Sequence, residues 1–383
     1  MKKSHRYITR FMMMLVLIFF FVPDFGYSQQ FRGQLSGWGN VQQSEHSDFW
    51  FGSGVRYLPE FAKDFTENAP YTMDVEISAN LYGNYNTQFD SGAADLKPYR
   101  LWARFATHKF ESRVGLQKIN FGPAKLLRSL MWFDRLDPRD PLQLTEGVYA
   151  LRLRYDFENL SSIWLWGIYG EDETKGLEFV PSKEGSPELG GRYQHPVGSG
   201  EMAVSYHLRS VPGEYLNNFT MRGPHVAENR IALDGIWDVG VGLWFETAII
   251  HAEYRNEAYR WQSFQTVGID YTFPGGNGLH VLGEHMLVTI SDKVFDMDKD
   301  NQTSGFMASY PIGWLDQIAV YSIYNWEAEM AYHYLSWQRT YDRWVLHASL
   351  FGRTGDAAGG GFLNQPVTTV GKFGLQLMVI FNH

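Results

Sequence analysis

The chain has no cysteine among its 383 residues. That removes a disulfide framework and any thiolate-held metal. Beyond Val22 it also lacks any uninterrupted apolar stretch near the ~20 residues a membrane helix needs, which excludes a helical membrane bundle. Basic clusters with interleaved aromatics are missing and the formal net charge is -9, so a nucleic-acid partner is not expected. No glycine-rich phosphate loop or dinucleotide fingerprint occurs. His207, His251, His280, His285, His333 and His347 are scattered; none falls in a recognisable Ser-His-Asn grouping, and His285 near Asp292 is the nearest approach to an Asp-His pair. No catalytic residue is therefore assigned, and the chain does not read as an enzyme. Asp296-x-Asp298-x-Asp300-Asn301 starts like a calcium loop but lacks the glycine at position six and the bidentate glutamate at twelve. Neither a metal site nor a cofactor is expected.

What is present begins with an export signal. Lys2, Lys3, Arg6 and Arg10 form a positive head, residues 11–22 are apolar, and Gly26-Tyr27-Ser28 supplies small residues before a cut. The pattern predicts a cleaved signal peptide over residues 1–28 and a single domain over 29–383.

Extended segments then follow one another to the end. In residues 71–86, Met73, Val75, Ile77, Ala79, Leu81 and Tyr85 share one face, and Asp74, Glu76, Ser78, Asn80, Asn84 and Asn86 the other. Such alternation is a two-faced strand. Short connections alternate with long ones. The short ones are at 108–109, 158–159, 196–200, 238–240, 274–278 and 311–314; the long ones are at 90–97, 122–147, 171–187, 211–226, 290–302 and 353–368. Residues 59–70 break the rhythm, being long for a turn. Aromatic residues cluster at strand ends, and the last segment alternates through Phe373, Leu375, Leu377, Val379 and Phe381. Together these features predict an all-β fold: a transmembrane, antiparallel, up-and-down β-barrel of about 18 strands, or 16 as the next even number. The expected location is the outer membrane of a Gram-negative cell, in contact with its lipid and lipopolysaccharide.

The predicted lumen face is rich in arginine. Arg100, Arg104, Arg113, Arg152 and Arg154 project inward from three successive strands, with Glu111 and Asp156 beside them. Arg192 and Arg209 follow the same phase on later strands. Neighbouring strands lie about 5 Å apart, so the guanidinium groups should form one basic wall. The connection at 122–147 carries Leu126, Leu127, Leu130, Met131, Trp132, Phe133 and Leu136, which favour burial over solvent. It is predicted to fold inward and narrow the lumen. Its Lys125, Arg128, Asp134, Arg135, Asp137, Arg139 and Asp140 would then stand at a constriction, where charged side chains set solute preference.

One stretch also carries a resemblance. Gly115-x-Gln117, Phe121-Gly122 and Asp134-x-x-Asp137-Pro138-Arg139-Asp140 resemble a porin-like family of outer-membrane barrels that includes the alginate-export type. The resemblance covers residues 99–157, and Phe121 stands where the family pattern has tryptophan. It implies a loop and an arginine-rich wall that together form a pore constriction; it does not transfer a substrate.

The sequence thus points to passive diffusion of small hydrophilic solutes, with an anionic preference, through a loop-constricted lumen. The competing reading is a non-conducting barrel: a scaffold or surface protein, or the membrane shell of an export or electron-transfer assembly. Homo-oligomerisation is left open.

Overall fold

The computed structural model describes residues 29–43, 48–66, 69–88, 90–137, 140–169, 173–215, 221–294, 296, 300–355 and 372–383. The signal segment, Arg139, residues 297–299 of the acidic connection and residues 356–371 lie outside them.

Strict alternation produces strands almost throughout. They are β1 (Gln29–Gln43), β2 (Phe49–Asp64), β3 (Tyr71–Asn86), β4 (Ser91–Thr107), β5 (Phe110–Gln117), β6 (Val148–Asp156), β7 (Ser162–Ile168), β8 (Glu188–Val197) and β9 (Gly200–Tyr215). The series continues with β10 (Met221–Asp238), β11 (Gly242–Ala252), β12 (Trp261–Phe273), β13 (Leu279–Ser291), β14 (Asp300–Ile312), β15 (Asp316–Asn325), β16 (Met330–Thr340), β17 (Trp344–Thr354) and β18 (Phe373–Asn382). Each pairs antiparallel with its sequence neighbours. β1 pairs with both β2 and β18, so the 18-stranded sheet closes on itself. The seam runs to the last residue, where Gly33 and His383 exchange backbone hydrogen bonds of 2.9 and 3.0 Å. Closure leaves no strand edge unpaired, the condition for crossing lipid with strands.

Every second side chain turns outward. Val114, Leu151, Leu165 and Val267 are about half exposed on that outer face. Tyr155 with Phe157 and Tyr271 with Phe273 form edge-on pairs at the short-turn rim, and Tyr324 with Trp326 does so at the other, each with ring centroids 4.9 Å apart. These are girdle positions for amphipathic rings.

Several connections are shorter than expected. Residues 91–97 belong to β4, and Asn86 pairs directly with Ser91. β9 and β10 extend through most of 211–226, and β13 and β14 take both ends of 290–302. The suspected long turn at 59–70 shrinks to 65–70, because β2 continues to Asp64. Polar residues there read as loop, yet a hairpin that rises beyond the bilayer keeps its ladder, since the ladder satisfies backbone groups as well as water does.

Candidate functional site

The β5–β6 connection, residues 118–147, enters the barrel and packs against its inner wall. Gly122, with φ 94, starts the turn; a Cβ there would run into the Glu246 carboxylate and Leu130. Residues 126–134 are all buried. Leu127, Leu130, Trp132 and Phe133 join Trp166, Trp244, Phe264, Leu282, Met286 and Val288 in one cluster. Each such side chain stabilises the docked loop by about 1.5–3 kcal/mol when fully removed from water. The barrel's apolar core is therefore inside its own lumen, between loop and wall.

Two buried carboxylates hold the loop backbone. Glu246 on β11 accepts from the Ala124 and Leu130 amides at 2.8 and 3.0 Å. Glu284 on β13 accepts from Lys125, Leu126 and Leu127 amides at 2.7, 2.9 and 2.6 Å, and from the Trp244 indole at 3.0 Å. A loop turn with no helix or sheet partner thus has its amides satisfied by side chains. The Lys125 ammonium lies 2.6 Å from Asp270 and 5.0 Å from the Trp244 ring centroid.

A second connection, between β7 and β8, locks onto the first. Leu177 donates to the Met131 carbonyl at 2.9 Å, and Gly176, at φ 47, allows the two backbones to touch. Beneath it lies a buried charge network. Glu178 and Glu228 bridge Arg209 and Arg230, while Lys175 and His207 both contact Glu188, at 2.8 and 3.0 Å. Tyr254 donates to Glu228 at 3.0 Å. Burial and the Glu228 charge both push the Tyr254 phenol up.

The opposite wall differs. Arg104, Arg113 and Arg152 are directly paired across β4, β5 and β6. Like charges in that register repel. Glu111 offsets them: Arg152 binds it closely, and Arg104 and Arg113 each approach it to 3.6 Å. Arg104 also forms a two-pronged pair with Asp74 at 2.8 and 3.0 Å, and Arg154 meets Asp156 at 2.9 Å. Arg113 lies 4.4 Å from the Trp102 ring centroid; Arg152 and Arg154 each lie 5.3 Å from that of Trp164. The side chains of Arg104 and Arg154 remain 30% and 41% exposed, so this wall stays wet.

Some predicted residues stand elsewhere. Arg100 is nearly buried and clamps the loop's return, donating to the Thr145 carbonyl and hydroxyl at 3.1 and 2.9 Å. Asp134 is buried with Arg128, their charged atoms 3.6 Å apart, instead of facing the arginine wall. Burial pushes the Asp134 carboxyl above the usual carboxylate range against the pull of Arg128. Arg135 turns to the Gly176 carbonyl at 2.8 Å. Asp140 caps its own turn through the Leu142 and Leu144 amides, and burial raises its carboxyl as well. Asp137 is partly buried in the same segment. The carboxylates that oppose the arginines are Asp74, Glu111 and Asp156, on the strands themselves, while Asp134 and Asp140 are engaged in docking the loop. Arg192 does face inward, but it pairs with Asp234 at 2.6 and 2.8 Å and lies 5.1 Å from the Phe121 ring centroid.

Sequence reasoning missed Glu246, Glu284, Trp164 and the second loop's charge network. A signal existed for the glutamates. The inward phase of β11 and β13 is largely apolar around them, with Trp244, Ala248, Ile250, Leu282, Met286 and Val288, which a strand facing water would not be.

No family model matches the chain, and no curated protein does. Solved structures do match. OpdQ of Pseudomonas aeruginosa aligns with a TM-score of 0.57 at 8% identity, over 93% of this chain and 98% of that one. OccAB4 of Acinetobacter baumannii gives 0.57 at 9% identity, over 93% and 98%. Wzi, an outer-membrane protein involved in group 1 capsule assembly in Escherichia coli and described as a carbohydrate-binding β-barrel, gives 0.56 at 11% identity, over 91% and 84%. At such identities the likeness establishes the fold. The class this defines is the large, closed, antiparallel β-barrel of 18 strands.

Proposed function

We propose that the chain is an outer-membrane channel through which small hydrophilic solutes diffuse passively. On this reading residues 1–28 direct export and are removed, and residues 29–383 insert among outer-membrane lipid and lipopolysaccharide. The observation that carries it is the wet wall: Arg104, Arg113, Arg152 and Arg154 keep solvent contact inside a closed cylinder, on the side the loop leaves uncovered. Charges lining a water-filled lumen set which solutes enter. The arginines outnumber Asp74, Glu111 and Asp156, so the preference is for anions and is moderate. The alginate-export-type relation belongs to the same proposal and rests on residues 99–157 alone. Planar-bilayer recordings under a salt gradient test it. A reversal potential on the anion side is expected; clear cation selectivity would remove the arginine wall from the conduction path.

A second reading is favoured by one observation, the unbroken burial of residues 126–134 with a second loop packed upon them. On this reading the barrel is closed and serves as a surface or assembly protein. Absence of any conductance step from the purified barrel, with a co-purifying partner, would select it.

A further inference from the structure

Four neighbouring strands carry a polar side chain on the outer face of the wall: His285 on β13, Ser304 on β14, Ser322 on β15 and His333 on β16. Their sequence neighbours settle the side. Glu284, Met286, Thr303, Tyr332 and Tyr334 are buried toward the lumen, whereas Phe306, Val320 and Leu335, in phase with the four, are exposed. The four side chains bond in pairs. His285 Nδ1 and Ser304 Oγ are 2.9 Å apart, and Ser322 Oγ and His333 Nδ1 are 3.0 Å apart. The Trp326 indole donates to Ser304 at 2.9 Å. Thr247 on β11 and Gln265 on β12, paired in register, extend the polar row.

The pairing uses one nitrogen of each imidazole. Among the described residues, Nε2 of His285 and of His333 has no protein partner. The row lies beside the girdle residues Tyr324 and Trp326, and acyl chains just beneath that rim offer an imidazole no partner, which is unfavourable. The outer face of β5 to β7 is apolar apart from the small hydroxyl of Ser112: Val114, Leu151, Leu153, Ile163 and Leu165.

We propose that the outer face of β13 to β16 is the contact between two copies of this chain. The choice of occupant follows from the order of the residues. His-Ser-Ser-His across four consecutive strands reads the same in both directions. A two-fold axis along the membrane normal, between β14 and β15, sets Ser304 of one copy against Ser322 of the other and His285 against His333. That self-complementarity is what an isologous contact requires. Each imidazole then meets a hydrogen-bonding group instead of lipid. Gly352, opposite His333 on β17, leaves the ring room to reach across. The inference rests on the bilayer-spanning reading and is independent of whether the lumen conducts.

The absence of native cysteine makes a direct test clean. Two differently tagged full-length copies, one carrying Ser304→Cys and the other Ser322→Cys, are co-expressed and oxidised mildly in native membranes. A reducible, mixed-tag dimer is expected there and not for the control pair Leu151→Cys with Leu165→Cys. Native mass spectrometry of the unsubstituted protein should give twice the monomer mass. Equal cross-linking in the control, no mixed-tag species, or a monomer retaining lipopolysaccharide would each overturn the proposal. A protein that remained dissolved without detergent would instead overturn the bilayer-spanning reading itself.

Discussion

The two halves of the lumen wall solve opposite problems. On β11 to β13 the inward residues include Trp244, Ala248, Ile250, Phe264, Leu282, Met286 and Val288, with Glu246, Gln262, Thr266 and Glu284 among them and Asp270 and His280 nearer the short-turn rim. On β4 to β6 they are Trp102, Arg104, Glu111, Arg113, Arg152 and Arg154. The first half is dry and grips a loop. The second is wet and holds charge in register. A barrel lumen is expected to be polar throughout. The apolar side is the imprint of the docked segment; Glu246 and Glu284 fall where that segment's amides need acceptors, and Asp270 where its lysine does.

Removing the loop is the strongest way to break this contrast. Deletion of residues 126–142 should raise single-channel conductance several-fold while the barrel still migrates as a heat-modifiable band. Unchanged conductance would place the loop outside the conducting path. Next in size is Glu284→Ala. It strands the Lys125, Leu126 and Leu127 amides and the Trp244 indole. Each unsatisfied buried donor costs about 1–3 kcal/mol, so the loop should lose several kcal/mol of docking stability. Hydrogen exchange of residues 123–130 should accelerate strongly, with β4 to β6 unaffected.

The wet half should respond in function rather than stability. Arg113→Ala with Arg152→Ala is expected to abolish anion preference in reversal-potential measurements. The chemical unfolding midpoint should shift little, because the truncation also relieves the repulsion among three aligned arginines while Arg104 stays near Glu111. A large loss of stability with unchanged selectivity would invert the comparison. The smallest effect concerns pH. Burial raises the Asp134 and Asp140 carboxyls in the docked loop, whereas a released loop would titrate in the ordinary range. The docked state then holds its protons more tightly. This contribution is fully present below the ordinary carboxylate range and is lost as pH rises through the raised values. Mild acidification should therefore slow exchange in residues 130–145 after correction for intrinsic rates; faster exchange would contradict the burial of Asp134. Asp134→Asn should remove most of the dependence.

Much of the barrel was legible residue by residue. The alternation in residues 71–86 and 148–157 gives strands and faces directly, since period two has no other reading in a chain without long apolar runs. The inward direction of the 118–147 connection was legible too, from leucines and aromatics too numerous for solvent. The destinations of its charges were not. Asp134, Arg135 and Lys125 look alike in sequence whether they face a pore or a wall. Only the positions of Arg128, Gly176 and Asp270 in space distinguish the cases.

By itself the order of residues determined that strands form, about how many there are, which side of each is greasy, and that one connection must be covered. Those are local matters of periodicity and solvation. Tertiary structure alone decided which wall covers that connection, which carboxylates seize it and which arginines remain in water. The first two depend on groups more than a hundred residues apart, as Ala124 and Glu246 are, brought together only when the cylinder closes.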